Sequence, residues 1–177
     1  PGSQSVTSSF GSFDFVWYQM LCQKGYIVAC VDGRGTGGRG TEFEKQIYGN
    51  MGKLELNDQI EGAKYLASLP YVDKDRIGIW GWSFGGYMSA LSITAGADYF
   101  KTAVSVAPVT NFRYYDNIYT ERYLGLPKDN PSGYDDNAPT NYADKFKGNL
   151  LIVHGSTDDN VHYQNTMEFT NALIKAN

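Results

Sequence analysis

The residues most able to do chemistry are Gly81-Trp82-Ser83-Phe84-Gly85. The spacing is G-x-S-x-G, which places a serine at the tip of a tight strand-to-helix turn, a nucleophile elbow, and the chemistry it serves is acyl transfer. Ile77-Gly78-Ile79-Trp80 before it reads as a short apolar strand, and a helix is expected from Gly85 to about Ala95. Backbone strain holds the serine forward, and small residues two before and two after it let strand and helix crowd together. The first N–H groups of that helix, with its positive dipole end, would face the oxyanion that forms during attack. A glycine-rich turn is the plainer reading, but it does not account for a strand and a helix on either side.

A serine hydroxyl is a weak nucleophile without a positioned base, itself oriented by a carboxylate. Asp158 and Asp159 follow the apolar run Leu150-Leu151-Ile152-Val153. In open parallel sheets such strand ends gather functional groups, and nucleophile before acid is the chain order of α/β-hydrolases, where histidine comes last. The chain has only two histidines, His154 and His162, and both lie beside the acid loop. His154 closes a strand, where its imidazole suits bracing of the loop, and His162 opens a helix. The base is therefore expected past Asn177, and the 177 residues alone are expected to be inactive.

A second motif competes for attention. Gly33, Gly35 and Gly38 satisfy G-x-G-x-x-G after the apolar stretch Tyr26–Val31, the spacing of a dinucleotide loop. The glycines run on to Gly40 without opening a helix, no acidic residue ends a following strand about 20 residues on, and Asp32 would set a carboxylate beside a pyrophosphate. A structural loop near the site is the reading kept, and no cofactor is expected.

The elements that must position these groups alternate. A helix is expected over Phe13 to Gln23, with Phe13, Val16, Trp17, Met20 and Leu21 on its apolar positions and Gly25 as its stop. Tyr26–Val31 follows as a strand buried on both faces. Further along come a helix from Asn57 to Leu69, strands at Arg76–Trp80, Thr102–Ala107 and Leu150–Val153, and a last helix with Met167, Phe169, Leu173 and Ile174 turned inward. Residues 110–142, rich in Tyr, Asn, Asp and Pro, read as an insertion over one end of the sheet, with one short helix near Asn117 to Tyr123. The pattern is that of one doubly wound, mostly parallel α/β domain.

Composition limits the partners. A net charge of -4 leaves no basic footprint for nucleic acid, and no apolar run approaches the ~20 residues that cross a bilayer. Cys22 and Cys30 lack metal-ligand spacing and read as small buried residues; no metal site is expected. The first residues, read as a small polar loop over Pro1–Ser9, show neither a basic start nor an apolar signal core, so no export signal is expected among them.

With these blocks in view the sequence resembles the hydrolase domain of the prolyl oligopeptidase family, its dipeptidyl peptidase IV branch above all. The matching residues are Asp32-Gly33-Arg34-Gly35, Asp58-Gln59-Ile60-Glu61, the Gly81–Tyr87 elbow, Tyr114-Tyr115-Asp116 with Tyr119–Tyr123, and His154-Gly155 with Asp158–His162. The resemblance implies an α/β-hydrolase fold truncated at both ends, a peptide substrate, Ser83 as nucleophile, Asp158 as triad acid and the Phe84 N–H as one oxyanion donor. It also implies that Phe84, Val109, Phe112, Tyr115, Tyr119 and Val161 line the pocket for the residue before the scissile bond. Asn160 would hold the preceding carbonyl. Phe84 stands where the branch usually has tyrosine, and Phe112 where it often has tryptophan. A flat proline ring suits such an aromatic slot. A second oxyanion donor, a tyrosine just upstream, and an acid-bearing β-propeller that grips a free peptide N-terminus are implied outside these residues. So are a homodimeric parent and a periplasmic or extracellular setting. The strand that normally separates Tyr26–Val31 from Arg76–Trp80 would lie before Pro1, so a gap or a new pairing is expected there. An acylaminoacyl peptidase or esterase of the same fold, and a non-catalytic hydrolase-like binding domain, are the alternatives.

Overall fold

The structure, a computed structural model, describes residues 5–6 and 13–176. Apart from Ser5 and Val6, the loop expected over Pro1–Ser9 lies outside the described residues. Seven α-helices are assigned among them: α1 (Phe13–Gln23), α2 (Thr41–Glu44), α3 (Lys53–Ala67), α4 (Phe84–Thr94), α5 (Asn117–Leu124), α6 (Pro131–Asp135) and α7 (Gln164–Ala176). Three strands, β1 (Gly78–Trp82), β2 (Thr102–Val106) and β3 (Asn149–Val153), form one parallel sheet in the order β1-β2-β3. The register aligns their carboxyl ends: Trp82 pairs with Val106, and Val106 with Val153. Whatever follows each strand therefore emerges at one edge of the sheet, with β1 and β3 two strand spacings, about 10 Å, apart.

α4 is buried all round, from Gly86 to Thr94, because the sheet packs on one side and α3 and the 3-10 segment Pro139–Lys145 on another. Small residues make that approach possible. A Cβ on Gly86 would collide with the Val106 carbonyl, and the Ser105 hydroxyl donates to the Gly86 carbonyl at 2.7 Å. Ile79 on β1, Ala103 on β2 and Leu150 on β3 share a register row and belong to one apolar cluster with Ile93 and Phe100. The other core, built on Ile47, Met51, Tyr87, Leu91, Val109, Phe112 and Val161, lies under the carboxyl edge of the sheet.

The opposite sheet face is open. Trp80, Trp82, Leu151 and Val153 are exposed, with Trp17 of α1 meeting Trp80 edge-on at 6.2 Å. This bears on Tyr26–Val31, which forms no strand and joins no ladder among the described residues, with Tyr26 and Ile27 more than half exposed. The expected buried strand is thus corrected: among the described residues no strand lies alongside to exchange its hydrogen bonds. The gap stays unfilled; β1 pairs only with β2 among the described residues. Val31 instead packs on Gly62, and its carbonyl accepts from Gln59 Nε2 at 3.1 Å. Cys22 and Cys30 are exposed and not buried as expected.

Other corrections are local. α3 starts at Lys53, four residues before expected, because Glu55 Oε2 reaches back to the Gly52 N–H at 2.8 Å and closes the first turn. Residues 110–142 hold a second short helix, α6, with Asn130 as cap and Pro131 in its first turn. α7 turns Asn165, Thr166 and Phe169 inward; Met167 and Ile174 lie on its exposed side. α1 ends as expected: Gly25 takes φ 87°, and Tyr26 N–H donates to the Leu21 carbonyl at 3.1 Å.

Candidate active site

Ser83 leaves β1 with φ 57° and ψ −113° and caps α4. A non-glycine residue there is strained by about 1–3 kcal/mol, and two hydrogen bonds hold it. Its N–H donates to the Val106 carbonyl on β2 at 2.9 Å, and its carbonyl accepts from Tyr87 N–H at 2.9 Å. Because helical bonding starts with Tyr87, the amides of Phe84, Gly85 and Gly86 lead α4 without intrahelical partners. The crowding is asymmetric. A Cβ on Gly81 would lie 2.6 Å from the Gly85 backbone, whereas one on Gly85 would meet nothing within 4 Å. Gly81 and Gly86 are the tight positions.

Beside the serine is a slot of about 240 Å³ lined by Trp82, Ser83, Phe84, Val109, Phe112, Tyr115 and Tyr119. Sites that enclose drug-sized ligands run to ~300–1,000 Å³, so this one suits a single side chain. Its floor is an aromatic cluster in which Phe84 meets Tyr87 at 5.4 Å and Tyr87 meets Phe112 at 5.1 Å. Tyr87 is fully buried and fixed by its hydroxyl, which donates to the Asn137 carbonyl at 3.0 Å. Tyr115 and Tyr119 form a second edge-on pair at 5.4 Å. Burial holds the Tyr119 phenol well above the ordinary tyrosine value, with Tyr123 and Tyr115 adding to the shift. The wall is neutral at any physiological pH.

Asp158 and Asn160 approach from the loop after β3. Asp158 Oδ1 accepts the N–H groups of Asn160 at 3.0 Å and Val161 at 2.9 Å. Burial alone would raise the Asp158 carboxyl, but these two backbone donors, with the His154 ring 3.5 Å from Oδ2, together outweigh it and hold the group below the usual carboxylate range. Asn160 does not line the slot itself; its Oδ1 accepts the Tyr115 hydroxyl at 3.0 Å, which places its amide at the rim. Val161 is buried beneath, packed in the cluster that holds Val109 and Phe112.

The His154 side chain is 1% exposed. Nε2 lies 2.8 Å from the Val161 carbonyl and Nδ1 2.7 Å from Thr166 Oγ1. A carbonyl can only accept, so Nε2 carries a proton and donates to Val161, while Nδ1 is paired with the threonine hydroxyl. Both nitrogens are engaged in bracing the acid loop, which leaves neither for Ser83. His162 is exposed at the start of the next turn.

The glycine loop is a tied structural turn. Arg34 makes three guanidinium hydrogen bonds to Asp58, Nη2 to Oδ1 at 2.6 Å and Nε to both oxygens at 3.0 Å, and its backbone N–H adds a fourth at 2.7 Å. Gly35 takes φ 94° against Ile47 of the core. The Asp32 carboxylate accepts the N–H groups of Ser5 and Val6 at 2.9 and 2.8 Å.

Two residues at the site escaped the sequence reading. Trp82 was motif filler there, yet it forms part of the slot wall. Asn165 is fully buried and joins the loop after β2 to the start of α7.

Comparison with known proteins is consistent over nearly the whole chain. The family model described as "Prolyl oligopeptidase family" matches residues 12–177. The curated relative "Probable dipeptidyl-aminopeptidase B" of Paracoccidioides lutzii is 49% identical over 98% of this chain, and the protein of that name from Talaromyces marneffei is 48% identical over 99%. The chain spans about a fifth of the length of those relatives, 19% and 20%. Among solved structures, that of Porphyromonas gingivalis dipeptidyl peptidase 4 superposes with a TM-score of 0.90 at 54% identity, over 93% of this chain and 23% of that one.

Proposed function

The chain belongs to the prolyl oligopeptidase family, and we propose that it forms part of the catalytic domain of a serine peptidase that releases N-terminal dipeptides with Pro or Ala second. Ser83 Oγ attacks the scissile carbonyl carbon, and its proton passes to a base. The C–N bond breaks as that proton reaches the leaving amine, and water then hydrolyses the acyl-enzyme to free the dipeptide. The Phe84 N–H at the head of α4 donates to the oxyanion. Asp158, kept ionised by its two amide donors, orients the base and stabilises its protonated form. With His154 committed to Val161 and Thr166, the base is a histidine supplied from outside residues 1–177, so these residues alone are inert.

The observation that carries this reading is the small aromatic slot that opens directly beside Ser83. Its neutral rings suit a flat, rigid proline ring, which loses little entropy on binding. Asn160 at the rim would take the carbonyl of the preceding residue. The test is turnover by the full-length protein of chromogenic Xaa-Pro and Xaa-Ala anilides against N-acylated equivalents. Preference for the free-amine Xaa-Pro substrate, lost in Ser83→Ala, is expected. Preference for N-acylated substrates or simple esters would overturn the dipeptidyl assignment.

A further inference from the structure

We propose that Asn165 is a positioning residue that locks the slot wall to the acid loop, so that substrate pocket and catalytic acid are set as one unit. The inference rests on the reading of Ser83 and Asp158 above. Asn165 lies in the first turn of α7 and is fully buried. All of its side-chain capacity is used, and on backbone groups alone. Oδ1 accepts the N–H groups of Thr110 at 2.9 Å and Asn111 at 3.3 Å. Nδ2 donates to the carbonyls of His162 at 3.1 Å and Tyr114 at 3.4 Å. Its own carbonyl accepts the hydroxyl of Thr110, also fully buried, at 2.6 Å.

These partners belong to two segments about 50 residues apart in sequence. Thr110, Asn111 and Tyr114 lie in the stretch that presents Val109, Phe112 and Tyr115 to the slot. His162 ends the loop that carries Asp158, Asn160 and Val161. Among the described residues, the other side-chain hydrogen bond between the two segments is the exposed Tyr115–Asn160 contact, so the buried amide is the rigid part of the hydrogen-bonded connection. A buried amide left unpaired is costly. Its four bonds are satisfied together only when the two loops keep their present separation. Ser83 is anchored to β2, so loosening Asn165 lets the acid loop drift relative to serine and slot.

The test uses the full-length protein, with active sites counted by fluorophosphonate titration so that constants refer to folded sites. Asn165→Ala is expected to lower kcat per titrated site by about 10–100-fold, the range a displacement near 1 Å produces, and to raise KM for Xaa-Pro substrates. Thr110→Val, which removes one bond, should move both constants the same way by several-fold. Phe100→Leu, in the separate sheet cluster, should lower the melting temperature and leave per-site constants unchanged. If Asn165→Ala and Thr110→Val also lower only the melting temperature, Asn165 is merely a packing group and the inference fails. If the wild-type protein is not labelled at Ser83, the functional reading fails and takes the inference with it.

Discussion

Gly81 and Gly85 hold equivalent places in the elbow motif, yet the structure gives them opposite consequences. At Gly81 an added Cβ would sit 2.6–2.7 Å from the Cα, carbonyl carbon and oxygen of Gly85. All three are backbone atoms, so no side chain can swing aside, and relief requires β1 and α4 to separate. Overpacking of this kind costs about 1–3 kcal/mol, occasionally more. Ser83 loses by the same movement, because its strained φ is held by one bond to β2 and one to α4. A shift near 1 Å at a nucleophile costs roughly 100-fold in rate. At Gly85 a Cβ meets nothing within 4 Å, and replacing glycine by alanine in a helix gains about 0.5–1 kcal/mol. Gly81→Ala is therefore expected to lower the melting temperature and reduce Ser83 labelling by about 100-fold. Gly85→Ala should raise the melting temperature slightly and keep wild-type labelling. Thermal unfolding and fluorophosphonate labelling rates, measured on both variants, decide it. A fully active Gly81→Ala variant, or a collapsed Gly85→Ala variant, would refute the claim that one-sided crowding builds the elbow.

The Asp158 carboxyl is held below its ordinary value, so its stabilisation of the loop is fully present above pH ~4 and is lost only as pH falls through the lower folded value. Hydrogen exchange at the Asn160 and Val161 amides should stay slow down to that point, and Asp158→Asn should abolish the pH step while lowering kcat by about 10³–10⁴-fold. Tyr115→Phe removes one rim hydrogen bond, worth about 0.5–1.5 kcal/mol; steady-state kinetics should show KM raised several-fold with kcat little changed. His154→Phe breaks the brace to Val161 and Thr166 and should lower thermal stability, while a catalytic base lost at this position would abolish Ser83 labelling; partial labelling is expected.

What the sequence disclosed depended on how local the determinants were. The elbow was legible because a strand, a tight turn and a helix within twelve residues all constrain one serine. The acid loop was legible from its place after the last apolar run. Burial was not, because it depends on neighbours that no local pattern names. Tyr26–Val31 has the composition of a central strand, but it pairs with no strand among the described residues, and Tyr26 and Ile27 are exposed. Met167 and Phe169 are both apolar in α7, which packs against the Pro139–Lys145 segment, yet Phe169 is buried and Met167 is exposed. The early start of α3 was hidden because its cap residue is a glycine with no side chain to signal it. Asn165 reads in sequence as an ordinary helix-start residue; its role emerges only once Thr110 is brought against it.

The account turns on Ser83 being an activated nucleophile in the assembled protein. Its most direct test is mass-spectrometric mapping of a fluorophosphonate adduct on the full-length protein, with and without a saturating Xaa-Pro product. A single adduct on Ser83, slowed by the product and absent from Ser83→Ala, is the expected result. No adduct, or one on another residue that survives Ser83→Ala, would contradict it.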